Sequence, residues 1–130
     1  MKTANGTRAR VLIIEDEESI RQGFRAIFER DGYQVNVARD GKMAIRGFSQ
    51  FAPDLAVVDI LLPEKTGVET IKELLGLKPE LKIIAVSGGG QHLQPEDCLS
   101  LAQKAGAHLA FRKPVMAQQL LDGAKELLEG

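Results

Sequence analysis

Five short apolar segments, each followed by a stretch of helical period, constrain this chain more than any other feature. The segments are VLII (11–14), QVNVA (34–38), LAVV (55–58), IIAV (83–86) and HLAF (108–111). After the first, Ile20, Phe24, Ile27 and Phe28 repeat at i, i+4, i+7 and i+8, one face of a helix. Asp31-Gly32 stops that helix. Asp40 reads as the N-cap of a second, striped by Ala44, Ile45, Phe48 and Phe51. Thr66 with Glu69 reads as a capping box for a third, carrying Val68, Ile71, Leu74 and Leu75. Pro95-Glu96 opens a fourth with Leu99, Leu101 and Ala102, and the fifth follows Pro114 with Met116, Leu120, Leu121, Ala124, Leu127 and Leu128.

Strand–helix alternation of this kind predicts an α/β fold, a doubly wound five-stranded parallel sheet with helices on both faces. VLII, LAVV and IIAV are continuously apolar, as in strands covered on both faces, whereas QVNVA alternates and HLAF is mixed, which predicts edges. The flavodoxin-like (βα)5 strand order 2-1-3-4-5 satisfies this and places ligands beyond the carboxyl ends of the strands, at the switch between strands 1 and 3. The 130 residues suit one domain, expected over 9–130 behind a mobile tail at 1–8. With 17 Lys and Arg against 18 Asp and Glu, the balance speaks against a broad nucleic-acid footprint. Cys98 is alone, so no intrachain disulfide can form, and it reads as a small buried apolar residue. No apolar run approaches the roughly 18 residues of a membrane span. The opening MKTANGTRA lacks the apolar region of a signal peptide. The expectation is a cytoplasmic protein that makes no membrane contact.

The strand ends carry the chemistry. The first ends in Glu15-Asp16, the third in Asp59, the fourth in Ser87, and the fifth in Lys113 followed by Pro114. Neighbouring carboxylates repel one another unless they share a cation. An all-oxygen set suits Mg²⁺, which accepts one or two carboxylates, keeps several waters and leaves a position for a phosphoryl oxygen. Each residue alone has a plainer use. Glu15-Asp16-Glu17-Glu18 can complement a helix dipole, Asp59 can cap a strand, Ser87 can sit in a turn, and Lys113 can be a solvated edge charge. The predicted fold brings all five to one place. The SGGG at 87–90 offers an alternative, a phosphate-cradling loop in a small flavin- or nucleotide-binding protein of similar fold. The acidic, glycine-free end of the first strand opposes it by repelling an anion. A phosphatase with an aspartate nucleophile would need a second carboxylate two residues on, where Leu61 stands. His92 reads as a solvated loop residue, and His108 has no partner at metal-ligand spacing.

Taken together, these residues make the chain resemble response-regulator receiver domains, the phosphoacceptor half of two-component signalling, over about residues 9 to 129. The marks are the acidic pair in VLIIEDEE, the acceptor in VVDILLPEKTG with Pro63 and Gly67 behind it, Ser87 after IIAV, and Lys113-Pro114 in FRKP. The resemblance implies a cis Lys113-Pro114 peptide and Asp59 as phosphoacceptor. It implies Mg²⁺ on Glu15, Asp16, Asp59 and the backbone carbonyl of Leu61, with Lys113 offsetting phosphoryl charge. Ser87 would then bond the new phosphate and pull the 88–94 loop along, with Gly88 and Gly89 letting the backbone approach and move. This would remodel the face of helix 4, strand 5 and helix 5, where a downstream protein target binds. Upstream, the implied partner is a histidine kinase or histidine phosphotransfer protein, docking on Ile20, Arg21, Phe24 and the Pro114 loop. No output domain follows the fifth helix, so the expectation is a stand-alone switch that binds no DNA directly and catalyses at most its own phosphorylation and dephosphorylation. Two features depart from the family pattern. Ala110 stands where most receivers carry an aromatic, with Phe111 on the opposite strand face, and the segment from Ser87 to Gly106-Ala107 is a few residues longer than usual.

Overall fold

The computed structural model describes residues 9–61, 66–88 and 95–129, with the backbone alone at 95–98. Its elements run β1 (Arg10–Ile14), α1 (Glu18–Arg30), β2 (Gln34–Ala38), α2 (Gly41–Phe51), β3 (Leu55–Asp59), α3 (Gly67–Leu77), β4 (Lys82–Ser87), α4 (Pro95–Ala105), β5 (Leu109–Arg112) and α5 (Ala117–Glu129). All strand pairs are parallel, in the order β2-β1-β3-β4-β5. The doubly wound sheet expected from the alternation of patterns is the fold. The predicted tail at 1–8, Pro63, Gly89, His92 and the side chain of Cys98 lie outside the described residues.

Side-chain alternation along each strand sorts the core into two layers. Val11, Ile13, Leu55, Val57, Ile84 and Val86 pack with Phe24 and Phe28 of α1 and Leu120 and Ala124 of α5. Leu12, Ile14, Ala56, Val58, Ile83 and Ala85 pack with Ala44 and Phe48 of α2, Ile71 and Leu74 of α3, and Ala102 of α4. The three central strands are therefore dry on both faces, while β2 and β5 are only partly covered, as edge strands must be. Ala110 belongs to the α2–α4 layer and Phe111 to the α1/α5 layer, so the adjacent aromatic does face away.

Local sequence signals set the helix limits. The Asp40 carboxylate accepts from the Met43 N–H at 2.8 Å. Thr66 and Glu69 close both halves of their capping box, at 3.2 and 3.1 Å. Gly32, at φ 94°, ends α1, the conformation that favours glycine. Its N–H reaches the Glu29 carbonyl at 3.0 Å and that of Tyr33 reaches Phe28 at 3.1 Å. The Phe28 and Tyr33 rings meet edge to face at 5.5 Å across this turn.

The fifth strand is shifted from its apolar segment. β5 begins at Leu109, so His108 lies before it. The Ile83 N–H donates to His108 Nδ1 at 3.1 Å, and the His108 N–H donates to the Ile83 carbonyl at 2.8 Å. The imidazole thus stands in for a ladder carbonyl. Burial, helped by the Lys82 charge, pushes its pKa below the ordinary value, as suits a neutral ring accepting a bond.

Candidate functional site

The ends of β1, β3, β4 and β5 converge. At β1 the ladder runs one residue past the strand, with the Glu15 N–H on the Ala38 carbonyl at 3.0 Å. This extension buries Glu15 to 1% exposure, while Asp16 is exposed. Glu17, at the N-cap position of α1, makes no side-chain cap bond. Instead its N–H donates to Glu15 Oε2 at 3.2 Å, so the Glu15 carboxylate caps the helix. One turn into α1, Arg21 Nη1 donates to the carbonyls of Glu15 and Asp16, at 3.0 and 3.3 Å.

Asp59 closes β3 at 4% exposure. Its Oδ1 accepts from the Leu61 N–H at 3.0 Å, and the Gly67 N–H returns to the Ile60 carbonyl at 2.9 Å. The start of α3 rests directly on this turn. A Cβ on Gly67 would fall 2.3 Å from the Asp59 carbonyl oxygen and 2.5 Å from Ile60 Cα, which is why the position takes glycine. Ser87 ends β4 and is fully buried, and its carbonyl accepts from the Lys113 N–H at 2.9 Å. Gly88 lies against the Lys113 stem. The Lys113-Pro114 peptide is cis. Lys113 Nζ reaches back between the carboxylates, 2.8 Å from Glu15 Oε1 and 3.2 Å from Asp59 Oδ2.

One carboxylate oxygen from each of Glu15, Asp16 and Asp59 lies within 4.8 Å of the others. Burial, reinforced by the Asp59 charge and opposed by Lys113, pushes the Glu15 carboxyl up to about 7. Burial alone would lower the Lys113 pKa, but the close approach of Glu15 and the charges of Asp59 and Glu15 outweigh it and hold it above its ordinary value. Glu15 Oε1 is buried, accepts no hydrogen bond of good geometry and is matched only by that ammonium. Hard oxygen donors, one buried and under-coordinated, fit a small divalent cation.

The structure therefore gathers Glu15, Asp16, Asp59, Lys113 and the end of β4 at Ser87, as the predicted strand order required. Ala110 sits on the neighbouring edge strand. Beside the site, Ile20, Gly23, Phe24, Ile27, Lys113, Pro114 and Val115 line an apolar groove of about 420 Å³, and Met116 beyond it is 67% exposed. Sequence reasoning placed Arg21 on this outer surface and missed its bonds to the acidic turn. The only signal was its spacing, five and six residues after the pair. No helix among the described residues is long and apolar enough to cross a membrane.

Comparison with known proteins agrees with this geometry. The sequence profile of the response regulator receiver domain matches residues 11–125. The chemotaxis protein CheY of Thermotoga maritima is 30% identical over 119 residues, covering 91% of this chain and 96% of its own. Sporulation initiation phosphotransferase F of Bacillus subtilis is 26% identical, covering 92% and 93%. Among solved structures, a CheY-like receiver domain from Methanospirillum hungatei superposes with a TM-score of 0.84 at 30% identity, covering 93% of this chain and 94% of that one. With the sheet order, the acidic crevice and the profile in agreement over nearly its whole length, the chain belongs to the response regulator receiver domain family.

Proposed function

We propose that this receiver domain accepts a phosphoryl group on Asp59 from a phosphohistidine donor. One observation carries the reading: a buried aspartate at the end of the central strand faces a lysine ammonium at 3.2 Å with two further carboxylates alongside. A carboxylate oxygen of Asp59 forms the new P–O bond as the donor's P–N bond breaks, and the electron pair stays on the imidazole nitrogen. Such transfers depend on positioning and on charge stabilisation. The Leu61 N–H bond and the Gly67 contact hold the acceptor's carboxylate and backbone in place. Lys113 shifts its ammonium from the carboxylates to a phosphoryl oxygen, and Ser87 donates its hydroxyl to another. Glu15, Asp16, Asp59 and the Leu61 carbonyl would hold Mg²⁺, whose charge offsets that of the transferring group.

The donor would be a histidine kinase or phosphotransfer protein, seated on the apolar groove between α1 and the Pro114 loop. A downstream protein would read the face of α4, β5 and α5. Ala110 lacks the ring that would couple Ser87 to that face, so the switch falls to residues 87–98. Intact-mass measurement after acetyl phosphate and Mg²⁺ tests the core of this reading. Wild type gains one phosphoryl group only with the cation, and Asp59→Asn gains none. Equal labelling of both proteins would remove Asp59 from the mechanism.

A further inference from the structure

The acidic turn has a feature that its carboxylates do not explain. Glu15 is fixed from several sides, by its backbone bond to Ala38, its cap on Glu17 and its ion pair with Lys113. Asp16 is exposed, and the hydrogen bond to its carbonyl holds the peptide that carries its carboxylate. That peptide is where Arg21 acts. A single Nη1 spans the Glu15 and Asp16 carbonyls at 3.0 and 3.3 Å, fixing both peptide planes, while the Arg21 N–H stays in the helix on the Glu17 carbonyl at 2.9 Å.

We infer that Arg21 is a positioning residue for the cation site: its guanidinium locks the β1–α1 turn so that the Asp16 carboxylate is aimed at Asp59 before any cation arrives. The inference rests on the metal reading of Glu15, Asp16 and Asp59. A group that orients ligands raises affinity by removing the freedom they would lose on binding. Its charge works the other way, because a cation beside the site repels a second cation. The sign of the change on removing Arg21 therefore separates orientation from charge. A partner-docking role alone would leave cation affinity where it is.

The test is Mn²⁺ binding, read from the paramagnetic signal of free Mn²⁺, with no donor or phosphoryl transfer involved. Arg21→Met keeps the apolar stem and removes the donors. It is expected to bind Mn²⁺ about tenfold more weakly than wild type. Arg21→Lys keeps the charge on a shorter stem whose rotatable ammonium replaces the rigid guanidinium, and is expected to lose about threefold. It also stands as the test if Arg21→Met does not fold, as checked by circular dichroism. Unchanged or tighter binding in either folded variant overturns the inference. Asp16→Asn is measured in parallel. If it too binds like wild type, the metal reading falls; if it binds weakly while the Arg21 variants do not, only the positioning role falls.

Discussion

Replacing Gly67 by alanine tests whether the start of α3 fixes the acceptor. The added Cβ would meet the Asp59 carbonyl oxygen at 2.3 Å and Ile60 Cα at 2.5 Å, short of ordinary contact by about 1 Å. Neither atom belongs to a side chain that could rotate away. Ile60 is tied by its N–H to the Val86 carbonyl at 3.0 Å, and Asp59 pairs with Val86 in the sheet. The backbone of the central strand must move, or α3 must lift. Overpacking of this kind costs about 1–3 kcal/mol, and the rigid partners here place the effect near the top of that range. For a domain of this size that is a fall of roughly 10 °C in melting temperature. An acceptor displaced by about 1 Å should also lose up to about 100-fold in phosphorylation rate by acetyl phosphate. Gly76→Ala supplies the control in the same helix. A Cβ there meets nothing within 4 Å, so it should gain about 0.5–1 kcal/mol from helix propensity alone. The assays are thermal melting and labelling rate for the three proteins. If Gly67→Ala melts with Gly76→Ala and labels at the wild-type rate, α3 does not constrain Asp59.

Cation affinity should depend on pH through Glu15, whose carboxyl is raised to about 7. The unfolded value of 4.5 is lower, so the folded metal-free domain binds the extra proton between about 4.5 and 7. Its stability contribution from this group is full below that window and is lost as pH rises through 7, while Mg²⁺ affinity gains about tenfold from pH 6 to pH 8. Calorimetric titration at the two pH values checks this, and a flat profile would remove Glu15 from the ligand set. Leu61 is 37% exposed beside the acceptor, with a side chain that cannot orient a water. Leu61→Asn should shorten the phosphorylated lifetime about tenfold, or roughly 1.4 kcal/mol of barrier; unchanged decay after donor removal would show that water access is controlled elsewhere.

The layer order of the sheet was legible because burial leaves a pattern. QVNVA alternates, and β2 is an edge, whereas LAVV runs apolar throughout, and β3 is central. The convergence of Glu15, Asp16, Asp59, Ser87 and Lys113 followed from that order alone. Interactions that depend on side-chain reach left no such pattern. His108 looks like the first residue of a strand, yet its ring replaces a ladder carbonyl. Lys113 was expected to serve a phosphate, and its ion pairs with Glu15 and Asp59 had no periodic trace. Arg21 has the spacing of a helix-surface residue, and only the shape of the β1–α1 turn turns it inward onto the carbonyls.

The main-chain bond from Lys113 to Ser87 ties two surfaces to one coordinate. Lys113 lines the apolar groove together with Pro114 and Val115, and its backbone is held by the residue that ends β4. A displacement at Ser87 would pass through that bond to the wall of the groove. By reciprocity, a partner that grips the groove more tightly in one position of this unit favours that position by the same free energy with which the position favours the partner. If the donor seats there as proposed, occupancy of the groove and the state of the acidic crevice form one linked equilibrium. Under the docking proposed above, a bound partner would act as an allosteric ligand of the crevice before any group is transferred.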